Sequence, residues 1–246
     1  MNTLISNWIF VSHQLSPFLL SVIEFLFLSF ALLFLFWRFE KLGVFVFMTL
    51  GILVGNIQIL THVDFTWITI PLGTISFSML FVASNLLNLS YGKQVAKQAV
   101  LLTFYAQIFF ALLMMITIDY IPTSLTQDYH AAIKLLFSPA LRLFVASLIS
   151  YTISQFFDIY LFDALKKQNL FSRFNVSIWI SSFLDNTLFS FLAFYFFANE
   201  PYSLTDIFFH FILGTYWIRI LIGLFEMSIF YLAMMIIRKK NIKAMQ

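Results

Sequence analysis

Apolar residues occur along this chain in long stretches that are separated by short polar connections. Each stretch is long enough to cross a hydrocarbon core of about 30 Å as a helix that rises 1.5 Å per residue. The pattern predicts seven spans, at residues 17–37, 43–62, 68–89, 98–118, 139–162, 174–198 and 207–236, numbered one to seven. We therefore expect an all-α polytopic transmembrane helix bundle, with residues 1–246 as a single integral membrane domain.

The composition supports a membrane protein. Hydrophobic residues make up 61% of the 246 residues and charged residues only 10%, whereas a soluble domain carries about 25% charged residues. This composition excludes a soluble enzyme and a nucleic-acid-binding domain. Cysteine is absent, so the chain has neither a disulfide framework nor a thiolate metal site.

The basic residues fall in alternate connections, which predicts the orientation. Eleven of the 14 follow segments one, three, five and seven: Arg38, Lys41, Lys93, Lys97, Lys166, Lys167, Arg173, Arg238, Lys239, Lys240 and Lys243. The other connections carry mainly acidic residues, and Lys134 is the exception. Basic loops stay in the cytoplasm, so we expect the N-terminus outside and the C-terminus inside. The longest outer connection, residues 119–138, is either a connector or a small lid.

A few ionisable residues lie inside the predicted spans. A charge at mid-bilayer costs about 2.5–3.5 kcal/mol on insertion scales, so such residues usually face a cavity or a partner. They are Glu24, Asp158, Asp185, Arg219 and Glu226, with Arg142 near the outer end of segment five. Glu24 is either a coupling site or a locally satisfied acid.

Segment five carries a polar stripe. At about 100° per residue, its members fall within an arc of about 140°: Ser147, Ser150, Tyr151, Ser154, Gln155 and Asp158. Serine stripes often serve only to pack helices. Because this stripe ends in an amide and a carboxylate, we expect it to face a ligand, although helix packing and a simple interfacial role for Asp158 remain alternatives.

Segment six places Ser177, Ser181 and Asp185 on one narrow face. Asp185 lies near mid-depth, as does Arg219 in the next segment, so the two side chains are predicted to pair. Such a pair can fix helix register or contact a ligand, and the sequence does not decide between these roles.

Segments two and three contribute amides, including Asn56 and Asn85. Aromatic residues form 20% of the chain, so a cavity among these helices would have aromatic walls that suit a flat ring. The motifs H-E-x-x-H and G-x-S-x-G and the P-loop are absent, and the four histidines form no metal-ligand pattern. We therefore expect neither an enzyme nor a metal or other cofactor.

The polar positions also form an ordered set of short motifs. They are Asn56–Ile57–Gln58, Phe81 to Asn85, Tyr91–Gly92–Lys93, Ser138–Pro139 with Arg142, Ala146–Ser147 with Tyr151, Ser154–Gln155 with Asp158, Arg173 with Ser177 and Asp185, and Tyr216 with Arg219. This set resembles the queuosine precursor transporter family, which is related to vitamin-uptake transporters. The chain departs from the family pattern where Asn85 replaces an acid and where Arg219 replaces a lysine.

The resemblance implies uptake of a 7-deazaguanine (queuine, preQ0 or preQ1), used in tRNA modification, across the cytoplasmic (inner) membrane of a bacterium. Its partners would then be this small heterocycle and the lipid bilayer, with no direct contact to nucleic acid. A guanine-like ring has two adjacent N–H donors, which the carboxylate of Asp158 or Asp185 can accept as a pair. The expected substrate-binding residues are Asn56, Asn85, Arg142, Ser147, Tyr151, Gln155, Asp158, Asp185 and Arg219.

Other interpretations remain open. The chain is also compatible with a transporter of another flat heterocycle or vitamin, with a structural subunit, and with an intramembrane enzyme that acts on lipid through Asp158, Asp163 and Asp185. Six of the segments are compatible with two inverted three-helix repeats plus an extra N-terminal helix, in which alternating access moves one repeat against the other.

Overall fold

The computed structural model describes residues 15–65, 68–137 and 140–239. The helices are α1 (Pro17–Gln58), α2 (Thr74–Tyr91), α3 (Lys93–Asp119), α4 (Gln127–Phe137), α5 (Ala140–Ala164), α6 (Leu170–Phe191) and α7 (Gly214–Lys239). Two antiparallel strands, β1 (His62–Phe65) and β2 (Ile68–Pro71), lie between α1 and α2. A 3₁₀ turn (Leu165–Lys167) follows α5, a π-helical turn (Leu192–Phe196) extends α6, and a short turn (Leu204–Asp206) and a π-helical stretch (Ile207–Leu213) precede α7.

The range labelled α1 contains two helices, and the chain reverses its direction between them at Glu40. This residue has φ 53° and ψ −130°, which is not helical. Near the two ends of α1, Gln58 Nε2 donates to Glu24 Oε1 at 2.8 Å, whereas residues 34 positions apart in a straight helix would be about 51 Å apart. The two halves therefore correspond to the predicted segments one and two.

The predicted all-α membrane bundle is confirmed. Among the described residues, five helices are long and apolar enough to cross a membrane: Pro17–Gln58, Lys93–Asp119, Arg142–Lys167, Leu170–Phe196 and Leu204–Lys239. The first of these contains both halves of α1, and the 18-residue α2 corresponds to the third predicted segment. Helix α4 occupies the long connection and has no buried residue.

The predicted boundary between segments two and three was wrong. The spans were expected to end at residue 62 and to resume at residue 68, but α1 ends at Gln58 and α2 begins at Thr74, with the β1–β2 hairpin between them. The prediction treated this apolar run as parts of two helices. Val63, Ile68 and Ile70 are hydrophobic, but they are also β-branched, and β-branched residues favour strands.

Helix α2 lies at the centre of the bundle. Every residue from Thr74 to Ser90 is buried, and α2 contacts α1, α3, α5, α6 and α7. We call the end of the bundle that carries β1 and β2 the hairpin end. The opposite end, which carries the turn at Glu40, the α2–α3 turn at Gly92 and the α5–α6 connection, is called the basic end.

A close contact between α1 and α2 gives a first prediction. A Cβ atom at Gly73 would lie 2.7 Å from the Gly55 carbonyl oxygen, a backbone atom that cannot rotate away. We expect Gly73→Ala to destabilise the protein by about 1–3 kcal/mol through overpacking, measured as a lower thermal unfolding temperature in detergent. The control is Gly214→Ala, whose Cβ would lie 3.4 Å from the nearest atom. Equal unfolding temperatures for the two variants would contradict this account of the contact.

Candidate functional site

A buried polar cluster lies where α2, α5, α6 and α7 meet. The predicted stripe of α5 is buried along its whole length: Ser147, Ser150, Tyr151, Ser154, Gln155 and Asp158. Ser177, Ser181 and Asp185 of α6 are buried as well. The helical periodicity therefore predicted correctly which faces of α5 and α6 turn away from lipid. We call this set, with Asn85 and Arg219, the polar core.

Asp158 is completely buried and is held by hydroxyl groups. Ser177 Oγ donates to Asp158 Oδ1 at 2.5 Å, and Ser84 Oγ of α2 lies 3.5 Å from Oδ2. Asp158 takes part in no ion pair within the described residues. A buried carboxylate without a cation is costly. The position of Asp158 therefore calls for a role beyond packing.

The predicted pair between Asp185 and Arg219 is confirmed. Arg219 Nη1 donates to Asp185 Oδ2 at 3.0 Å, and both side chains are only 8% exposed. Ser154 Oγ of α5 donates to the other carboxylate oxygen at 3.2 Å. One carboxylate therefore connects α5, α6 and α7 at mid-height.

Several buried polar atoms of the polar core have no hydrogen-bond partner among the described residues. Both amide atoms of Gln155 are in this group, as are the Ser147 hydroxyl and Nε of Arg219. Asn85 and Ser181 lie beside the Asp158 carboxylate. Each unmade bond of a buried polar group costs about 1–3 kcal/mol, and native proteins leave few such groups. A bound polar molecule or water would satisfy them, so the polar core has the chemistry of a ligand site.

Helix α3 contributes partners that the sequence analysis missed. Thr103 Oγ1 lies 2.8 Å from the Tyr151 hydroxyl, and Asn56 Nδ2 donates to Gln107 Oε1 at 3.2 Å. Thr103 and Gln107 are both fully buried and lie four residues apart, on one face of the largely apolar middle of α3. That spacing was the signal in the sequence. The contact ties Asn56 to α3 rather than to Asp158 or Asp185.

Arg142 lies apart from the other predicted site residues. Helix α5 begins at Ala140, so Arg142 is in its first turn, about 24 Å along the axis from Asp158. Its side chain is exposed, and Nη1 donates to the Phe197 carbonyl oxygen at 3.2 Å. The structure therefore places Arg142 at the hairpin end as a tie between two segments.

Two further in-span acids occupy different surroundings. Glu24 is half-buried and accepts from Gln58 at 2.8 Å and from Ser76 at 3.3 Å, as expected of a locally satisfied acid. Glu226 is fully buried on α7, and Ser78 of α2 lies beside its carboxylate.

The described acidic residues are not grouped around a metal site. Asp163 pairs with Lys93 at 3.1 Å and is partly exposed at the basic end, away from the Asp185–Arg219 pair. In the described part of the chain, no group of three His, Cys, Asp or Glu side chains is placed to hold a metal ion. Asp163, one of the three acids of the lipid-enzyme alternative, therefore lies outside the polar core.

A cavity of about 420 Å³ lies on the hairpin-end side of the polar core. Its walls carry Phe77, Phe189, Phe194, Phe209 and Phe211, and its polar lining includes Asn186, Thr215 and Arg219. Of the nine predicted site residues, Arg219 alone lines it. Asn186 Nδ2 donates to the Ile212 carbonyl oxygen at 2.9 Å and to Thr215 Oγ1 at 3.0 Å, so α6 holds the π-helical stretch in place beside the cavity.

Comparison with known proteins identifies two similarities. Residues 71–233 match the family described as "Putative vitamin uptake transporter". The chain is also 26% identical, over 217 residues, to the "Probable queuosine precursor transporter" of Bacillus subtilis (strain 168), with 86% of this chain and 92% of that protein covered. No solved structure matches the chain.

Proposed function

Because this chain belongs to the family described as "Putative vitamin uptake transporter", we propose that it carries a queuosine precursor across the cytoplasmic membrane of a bacterium. The cargo would be a 7-deazaguanine base: queuine, preQ0 or preQ1. The similarity to a relative named as a queuosine precursor transporter supports this substrate class and covers most of both chains.

One observation carries the assignment of the site. Two buried carboxylates, Asp158 and Asp185, converge in the polar core with the buried amides of Gln155 and Asn85. The Gln155 amide has no hydrogen-bond partner among the described residues. A guanine-like ring has two adjacent N–H donors, a carbonyl acceptor and further polar edges. We propose that Asp158 accepts the paired donors, while Gln155 and Asn85 bind the remaining edge of the ring.

The aromatic and charged neighbours complete this proposed site. Tyr151 would pack against the ring, and its hydroxyl is oriented by Thr103 at 2.8 Å. Asp185 and Arg219 form the boundary of the site towards the cavity. Ser147, whose hydroxyl has no hydrogen-bond partner in the described part of the chain, would donate to an acceptor of the cargo or to water, and so would Ser181.

Transport requires that the polar core be reached from each side in turn. On the hairpin side the cavity extends as far as Arg219. On the basic side, Arg173 Nε donates to the Phe162 carbonyl oxygen at 2.8 Å, and its guanidinium lies 3.9 Å from the centre of the Phe162 ring. We propose that these contacts close the basic side in this state and that they separate when cargo is released.

The proposed orientation follows the charges of the loops. The basic end would face the cytoplasm under the positive-inside rule, and the hairpin end with its cavity would face outward. In this orientation the described state would be open to incoming cargo.

A growth-independent uptake assay tests the function. The protein is expressed in bacterial cells that can neither make nor import deazaguanines, and each of preQ0, preQ1 and queuine is supplied in turn. Queuosine in tRNA is then measured. We expect at least one base to restore queuosine, and an empty vector to restore none. The proposed function fails if no precursor restores queuosine while the protein is present in the membrane.

A further inference from the structure

We infer that the cavity at the hairpin end is a second cargo site, which binds a planar heterocycle before it enters the polar core. This inference rests on the proposed function. It adds a binding step. The residues of this second site lie outside the polar core, except for Arg219, which belongs to both.

The size and walls of the cavity suit a flat ring. Its volume of about 420 Å³ lies in the range of about 300–1,000 Å³ that is usual for small-molecule sites. Phe194 and Phe211 stack with ring centroids 4.3 Å apart and an interplanar angle of 26°, and Phe189 meets Phe194 edge to face at 6.0 Å. These rings form a continuous apolar wall against which a planar heterocycle can pack.

The polar lining supplies the second requirement, a charged donor that is nearly buried. Arg219 lines the cavity and is 7% exposed. A guanidinium has five N–H donors and no acceptor, so the pair with Asp185 leaves donors unused. The matching ligand is a planar heterocycle with a carbonyl or ring-nitrogen acceptor on one edge.

The same arginine separates the cavity from the polar core. Arg219 contacts Asp185 at 3.0 Å, but Asp185 and the polar stripe of α5 do not line the cavity. A molecule in the cavity therefore reaches Arg219 without reaching Asp158. Movement into the core requires Arg219 to leave Asp185, and an acceptor on the cargo that replaces the carboxylate lowers the cost of that step. Cargo in the cavity thus favours the open arrangement of the pair.

The absence of cysteine permits a direct test with single introduced thiols. Ser190 lines the cavity and is replaced by a residue of similar size in Ser190→Cys. The control is Ser124→Cys, at an exposed serine in the connection to α4. Both full-length variants are purified in detergent, and their rates of reaction with N-ethylmaleimide are measured with and without preQ0, preQ1 and queuine. We expect a bound base to slow labelling of Ser190→Cys about tenfold at about ten times its Kd and to leave Ser124→Cys unchanged.

A second variant separates the cavity from the polar core. Ser190→Cys is combined with Asp158→Asn, which is expected to lower uptake about 100-fold. Protection that persists in this double variant supports a distinct cavity site. If the double variant cannot be recovered from the membrane, Gln155→Met replaces Asp158→Asn, because the side chain of Gln155 makes no hydrogen bond in the described structure.

The other outcomes overturn the inference. Protection that disappears with Asp158→Asn or Gln155→Met would mean that cargo binds only in the core, and that closure then shields the cavity. Absence of protection by any base that the wild-type protein transports would also overturn it and leave the proposed function intact. Failure of the wild-type protein in the uptake assay would instead reject the proposed function itself.

Discussion

Asp158→Asn should lower deazaguanine uptake about 100-fold while the protein remains in the membrane. The carboxylate offers two acceptor oxygens, whereas an amide of the same shape offers one acceptor and one donor. One charge-assisted hydrogen bond to the cargo is therefore lost, and a donor meets a donor. A loss of about 2.7 kcal/mol corresponds to this factor. The readout is queuosine in tRNA at limiting precursor, normalised to the membrane level of the variant.

The matched control lies five residues further along the same helix. Asp163→Asn removes a carboxylate whose pair with Lys93 is partly exposed, with side chains 33% and 40% accessible. Exposed pairs contribute about 0–1 kcal/mol, so uptake should be nearly unchanged. If Asp158→Asn and Asp163→Asn transport equally at equal membrane levels, Asp158 does not bind the cargo.

Asp185→Ala should reduce the amount of folded protein more than any other substitution considered. The change leaves Arg219 as a buried cation without its partner, because Asp185 is the carboxylate within 4.0 Å of it among the described residues. Breaking a buried pair in this way costs about 3–5 kcal/mol. The measurement is the unfolding temperature in detergent together with the membrane level, and Asp163→Ala is the exposed-pair control.

A double variant distinguishes a structural role of this pair from a role in binding. Asp185→Leu combined with Arg219→Met removes both charges and fills similar space, which is often neutral or stabilising. Ser154 remains satisfied because its hydroxyl can donate instead to the Tyr151 carbonyl oxygen, which lies 3.1 Å away. We expect stability to recover and uptake to stay low. Recovery of both would show that the pair only fixes helix register, and full stability of Asp185→Ala alone would show that the pair does not support the fold.

The predicted faces of α5 and α6 illustrate what helical periodicity determines. In a bilayer a polar side chain avoids lipid, so Ser154, Gln155 and Asp158 had to turn inward whatever the arrangement of the other helices. Asp185 and Arg219 were predictable as a pair for a similar reason. Both lie near mid-depth on consecutive helices, where an unpaired charge is costly.

Other features could not be predicted, for physical reasons. Arg142 was assigned to the site because it belongs to the motif on α5; its place in the first helical turn puts it at the hairpin end, and its role in binding stays a prediction. The strands were hidden because β-branched residues extend an apolar run as well as helix-forming residues do. Thr103 and Gln107 were overlooked because isolated polar residues within an apolar stretch of a helix are common wherever helices pack.

By itself, the sequence determined that this is a helical membrane protein, which residues avoid lipid, and which family motifs it carries. These properties depend on local periodicity, on the cost of burying charge and on residue order, and none of them needs the neighbours of a helix. The tertiary structure alone decided that α1 folds back at Glu40 and that α3 orients Tyr151 and Asn56. It also decided that the Phe-lined cavity extends as far as Arg219. These features depend on which helices touch and where a gap is left between them, and side-chain packing sets that only in three dimensions.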